Sequence, residues 1–103
     1  MFGDMLGDLQ KKQDEIKSKL STIEITESIN DGAVIVTANA AREIINIELD
    51  DTKIDMTDKA QIEDLVVIAV NNALTKAAER EAAESQSLIS SMLPPGMENL
   101  LGS

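Results

Sequence analysis

The sequence predicts an α+β fold: an N-terminal helix, a three-stranded antiparallel meander and a long C-terminal helix, α-β-β-β-α in order. Three observations predict it. Apolar residues recur every three or four positions from Phe2 to Leu20, the period falls to two between residues 22 and 49, and neither Gly nor Pro interrupts the chain from residue 58 to Pro94.

The first helix is expected over about residues 4–21. Its stripe is Phe2, Leu6, Leu9, Ile16 and Leu20, with Gln13 filling the gap and Lys11, Lys12, Lys17 and Lys19 mostly off it. That spacing is of coiled-coil type and needs a mate. Residues 22–29 change period, Ile23 and Ile25 alternating with Thr22, Glu24 and Thr26, as in a half-buried strand. Asn30-Asp31-Gly32 tolerates positive φ and closes a hairpin. A second strand is expected over 33–39, β-branched through Val34, Ile35, Val36 and Thr37, and a third over 43–49, with Ile45, Ile47 and Leu49 on one face.

Residues 50–57 form a polar loop with Ile54 and Met56 as anchors. Asp58 with Gln61, or Thr57, offers an N-cap, and Glu63 and Asp64 follow where the helix dipole favours them. The second helix is expected over about 58–91, roughly 45–50 Å long at 1.5 Å per residue. A three-stranded sheet spans only about 20 Å along its strands. More than half of that helix therefore has nothing in its own chain to lie on. Ile62–Leu74 is rich in aliphatics, whereas Lys76–Ser91 thins to alanines, Leu88 and Ile89 among polar residues. Two unmated faces imply an obligate oligomer, most simply a twofold dimer. The tail, 92–103, is expected to be flexible or to lay Met97, Leu100 and Leu101 on the dimer.

Composition narrows the chemistry. The 103 residues carry 9 Lys plus Arg against 19 Asp plus Glu, a net charge of −10, with no His, Cys, Trp or Tyr and one Phe. One domain is expected over 1–103, with a core made of aliphatics. Disulfides, thiolate nucleophiles, imidazole bases and zinc knuckles are excluded. No run approaches the roughly 18 apolar residues of a membrane span, and Asp4 and Asp8 interrupt any signal-like stretch. A soluble cytoplasmic protein without cofactor or membrane partner is expected.

The element order resembles the YbaB/EbfC family of bacterial nucleoid-associated proteins over nearly the whole chain. The residues that carry the resemblance are the opening Met1-Phe2-Gly3, the Gln/Lys-rich first helix, Gly32-Ala33-Val34-Ile35-Val36-Thr37-Ala38-Asn39 and Ile47-Glu48-Leu49-Asp50. The block from Ile62 to Ala73, then Lys76-Ala77-Ala78-Glu79 and Leu93-Pro94-Pro95-Gly96-Met97, completes it. The resemblance implies a homodimer whose sheets form a shared body and whose helices project as two arms. It also implies duplex DNA binding with little sequence preference, nucleoid organisation and effects on gene expression. Where the family commonly has Gly after the Asn that ends strand two, Ala40 stands here, so a longer or differently shaped turn is expected at 39–42.

Charge is unevenly spread. Residues 8–21 sum to +1 with four lysines, residues 22–75 to −8, and residues 76–103 to −2. Non-specific duplex binding needs clustered Lys or Arg. Lys11, Lys12, Lys17 and Lys19 are therefore the candidate DNA-binding residues, extended by Lys76 and Arg80 where the second helix leaves the body. The competing reading of the four lysines is a solvated face with opposite-charge neighbours, Asp8 with Lys11 or Lys12 and Glu15 with Lys19. For Lys76 and Arg80 it is an ion-pair network with Glu79, Glu81 and Glu84, and for Arg42 simple solvation of a turn.

Base readout is disfavoured, since one aromatic residue makes no stacking platform and no helix-turn-helix or zinc finger is visible. Asp50, Asp51, Asp55 and Asp58 lack the Gly and the bidentate Glu of a calcium loop. Adjacent Glu63 and Asp64 point about 100° apart on a helix, unsuited to a catalytic pair. No enzyme is expected, nor any catalytic or metal site. Two functions stand: a nucleoid-associated DNA-binding protein, or a dimeric adaptor or regulator that binds a basic protein partner through an acidic body.

Overall fold

A computed structural model describes residues 2–92, with side-chain surroundings for residues 6–90. The expectation placed on Met97, Leu100 and Leu101 lies outside the described residues. The order is α1 (Phe2–Ser21), β1 (Glu24–Ile29), β2 (Val34–Asn39), β3 (Ile44–Leu49) and α2 (Lys59–Met92). α1 begins two residues before the expected start, and the strands are one or two residues shorter at their first ends.

The strands form one antiparallel sheet in the order β1-β2-β3. Between β1 and β2 the chain turns through Asn30, Asp31 and Gly32 at φ of 50°, 56° and 87°, and Gly32 N donates to Ile29 O at 3.1 Å. Positive φ at successive positions gives the turn the hand that matches strand twist, and it is cheap for Asn, Asp and Gly.

The β2–β3 pairing sets Leu49 opposite Val34 and Ile47 opposite Val36, then shifts so that Ile44 faces Ala38 and Ile45 is the extra residue. This bulge corrects the expectation that Ile45, Ile47 and Leu49 share a face, because an extra residue breaks the period of two. In the β2–β3 turn Arg42, at φ 64°, takes the left-handed conformation, and its N–H donates to Asn39 O at 3.0 Å.

α2 lies across β1 and β2. Ala69, Ala73 and Ala77, four residues apart, are fully buried, as are Val34 and Val36. Methyl side chains let the helix backbone approach the sheet, and the valines fill the remaining space. Ile54 is buried against this core. Met56 is 46 % exposed, so of the two expected loop anchors only Ile54 packs. Asp58 is the N-cap, its Oδ1 accepting from Gln61 N at 3.1 Å. Glu63 and Asp64 fall beyond the first turn of α2, which holds no acidic residue, so Asp58 is the carboxylate nearest the dipole's positive end.

β3 extends past the helix, and every one of its residues is exposed. Ile44, Ile45, Ile47 and Leu49 leave β3 with an open apolar edge, and Val67 and Ile68 on α2 are exposed as well. α1 leaves the other end of the sheet and runs beside the second half of α2, which continues as helix to Met92. Leu20 is buried, but Leu6 is 66 % exposed, so cover fades toward the N-terminus. The described chain is elongated, 61 × 34 × 18 Å.

Candidate nucleic-acid interface

Lys11, Lys12, Lys17 and Lys19 are all exposed on α1. At 100° per residue, Lys12 and Lys19 share a face and stand about 10 Å apart along the axis, while Lys17 points elsewhere. The structure divides them accordingly. Lys12 and Lys19 flank a cleft of about 350 Å³ whose floor is Ile16 and Leu88. Lys17 lines a second cleft of about 750 Å³, together with Arg42, Glu81 and Ser85. Ile16 lines both, so the two clefts lie on either side of the seam between α1 and α2.

None of the four lysines makes an ion pair among the described residues. The pairings of Asp8 with Lys11 or Lys12 and of Glu15 with Lys19 are not formed, because exposed i,i+4 pairs gain only a few tenths of a kcal/mol.

The other sequence candidates are engaged. Lys76 Nζ lies 2.5 Å from Glu27 Oε2, an ion contact rather than an aligned hydrogen bond, and the Glu27 side chain is only 13 % exposed. Glu27 stands on β1 with its neighbours Ile25 and Ile29 turned toward α2, so Lys76 neutralises a carboxylate that the packing of α2 would otherwise strand. Arg80 Nε donates to Glu84 Oε1 at 2.9 Å, one helical turn on. Lys76 and Arg80 thus stand apart from the α1 lysines, each on its own carboxylate.

Arg42 was legible only as a lone turn residue, and here the structure differs. Its Nε lies 3.4 Å from Glu81 Oε1, and it shares a cleft with Lys17. No periodic signal marks this, since it depends on the left-handed backbone at Arg42 and on the angle at which α1 leaves the sheet.

The acidic loop is locally satisfied. Asp50 Oδ1 accepts from Thr52 Oγ1 at 2.6 Å and Thr52 N at 3.0 Å, and Asp55 Oδ1 accepts from Thr57 Oγ1 at 2.6 Å and Thr57 N at 3.0 Å. The threonine hydroxyl first, then its amide, holds each carboxyl below the ordinary aspartate range. Lys53 Nζ donates to Asp31 O and tethers this loop to the hairpin turn. Among the described residues no three acidic groups converge as metal ligands, and no helix is long and apolar enough to cross a membrane.

Chemically, the surface offers flexible ammonium donors around an arm. Such groups meet phosphate oxygens as point charges and read no base.

A profile of the YbaB/EbfC DNA-binding family matches residues 1–92. A nucleoid-associated protein of Flavobacterium johnsoniae is 33 % identical over 92 % of this chain and 90 % of its own length. One from Thermodesulfovibrio yellowstonii is 34 % identical over 97 % of this chain and 90 % of its own. The crystal structure of an uncharacterized protein from Helicobacter pylori superposes with a TM-score of 0.68, covering 85 % of this chain and 92 % of that one at 19 % identity. That likeness concerns the fold.

Proposed function

The chain belongs to the YbaB/EbfC DNA-binding family, and from that premise we propose that it is a nucleoid-associated protein that grips duplex DNA through the sugar-phosphate backbone. It binds with little sequence preference, acts in nucleoid organisation and gene regulation, and resides in the cytoplasm on the nucleoid. The family is a DNA-binding one and not a family of enzymes. The observation that carries this reading is the division of the cations. Among the described residues Lys11, Lys12, Lys17 and Lys19 are exposed and without ion pairs on α1, whereas of the five other cations Arg42, Lys53, Lys76 and Arg80 each sit on a carboxylate and only Lys59, at the start of α2, does not. The α1 lysines supply the phosphate contacts, and Lys76 and Arg80 add to them only by exchanging Glu27 and Glu84 for phosphate.

The working form is a homodimer. β3 is an edge strand of four apolar residues without cover, and a second copy buries it together with Val67 and Ile68. The acidic bodies then join, and the lysine arms are doubled. Sedimentation of the native chain as a dimer, and of Ile47→Glu as a folded monomer, is the expected result.

The functional test is fluorescence anisotropy of a labelled duplex of arbitrary sequence, with the native chain and with Lys11, Lys12, Lys17 and Lys19 all changed to Glu. The native chain should bind and the reversed chain should not, both being equally folded. Equal binding by both, or by neither, refutes the proposal. In the latter case an adaptor that takes a basic protein through its acidic body becomes the reading to pursue.

A further inference from the structure

Asn39 is the one buried polar side chain among the described residues, 4 % exposed at the end of β2. Its amide is fully used. Oδ1 accepts from Ala41 N at 3.0 Å and Glu43 N at 3.1 Å, while Nδ2 donates to Glu43 Oε1 at 2.9 Å and to Ser21 O at 3.3 Å. The first three bonds build the β2–β3 turn. The fourth reaches a different element, the last residue of α1.

The carbonyls at the end of a helix lack intrahelical partners. In α1, Ser18 O accepts from Ser21 Oγ at 2.7 Å, Lys19 O from Thr22 Oγ1 at 2.7 Å and Thr22 N at 3.1 Å, and Leu20 O from Ile23 N at 3.2 Å. Each of those bonds stays within the local chain and by itself fixes no direction of the helix relative to the sheet. Ser21 O alone is held from the sheet. Two bonds flank that contact: Ala40 N to Ile23 O at 3.0 Å, and Asn39 N to Glu43 O at 3.0 Å.

We infer that Asn39 is a positioning residue for the lysine arm: by taking the last carbonyl of α1 onto the buried turn, it sets the direction in which α1 leaves the sheet. This rests on the proposed role of the α1 lysines in holding DNA and extends it to a residue that touches no phosphate. Asp in its place keeps both acceptor bonds to Ala41 N and Glu43 N, but it loses the donor to Ser21 O and sets a carboxylate beside Glu43. Adding Glu43→Gln returns a donor to the turn and still leaves Ser21 O unmet. The pair of variants thus separates the integrity of the turn from the hold on the arm.

The chain has no cysteine, so Gly7→Cys and Ser28→Cys place spin labels on the arm and the sheet alone. Both positions are exposed, and a Cβ at Gly7 meets nothing within 4 Å. Dipolar spectroscopy on labelled protein diluted with unlabelled chain reports the distance within one protomer. Asn39→Asp should broaden the distribution about twofold and weaken duplex binding roughly three- to tenfold, the loss expected when supported contacts are left loose. Asn39→Asp with Glu43→Gln should regain thermal stability while the broad distribution and the weak binding persist, and it carries both readouts if the single variant unfolds. A narrow, native distribution in a folded variant overturns the inference, and so does recovery of both readouts by the double variant. If the native chain binds no duplex, the DNA reading fails by itself and the distances alone decide the role of Asn39.

Discussion

The body and the arm of this chain are held by opposite means. In the body, three alanines bring α2 onto β1 and β2, two valines are fully buried, and nearly every cation has an acidic neighbour. On α1, cover is confined to the last two turns, where Leu20 is buried and Ile16 half-buried beside α2, the apolar stripe opens to 66 % exposure at Leu6, and among the described residues four lysines have no ion pair. Net charge follows the same line, −8 over residues 22–75 and +1 over residues 8–21. Acidity here belongs to the scaffold. Under the proposed function a polyanion is repelled by the body and admitted only along the arm, so that binding would depend on where the arm points.

The sharpest way to test this division is to disturb each part and ask what fails. Ala73→Leu drives a branched side chain between α2 and β2, where a fully buried methyl now sits. It should cost about 3 kcal/mol in urea melts, with duplex affinity retained at temperatures where the variant remains folded. Lys76→Met leaves the mostly buried Glu27 carboxylate without its counterion and should cost about 1–2 kcal/mol, less than a fully buried pair because Lys76 is half exposed. The arm should answer in the reverse sense: reversing its four lysines should shift the melting temperature little. Smallest of all is the effect at the acidic loop. Thr52→Val removes the hydroxyl that holds the Asp50 carboxyl low, so NMR titration should show Asp50 moving up toward the ordinary aspartate range. The sign follows from linkage. A carboxyl depressed in the folded state adds stability at neutral pH and loses it as pH falls through its lowered value, so the variant should be slightly less stable than the native chain at neutral pH, with the difference closing in acid.

The fold was legible because its signals are local. The shift of apolar period near residue 22, the Asn30-Asp31-Gly32 turn and the uninterrupted stretch before Pro94 each report one element. The bulge at Ile45 was not legible, since a run of Ile44-Ile45-Asn46-Ile47 suits several registers and the choice depends on Arg42 adopting positive φ. The candidate site was half legible. Four lysines could be read off the first helix. Their division between two clefts, the capture of Lys76 by Glu27 and the arrival of Arg42 beside Lys17 depend on how α1 crosses α2, which no sequence period encodes. Asn39 was visible as the end of a strand but not as a clamp, because its partners lie 18 residues back and four residues ahead.

Binding of DNA along the arm is tested by the salt dependence of duplex binding, read between about 50 and 200 mM as the slope of log K against log salt. The native chain should show a steep slope. Lys12→Gln should lower it by about one for each phosphate contact removed, whereas Lys76→Gln, which removes a cation already held by Glu27, should leave it nearly unchanged. A slope that is flat in the native chain, or that falls with Lys76 and not with Lys12, would contradict the assignment of DNA binding to the arm.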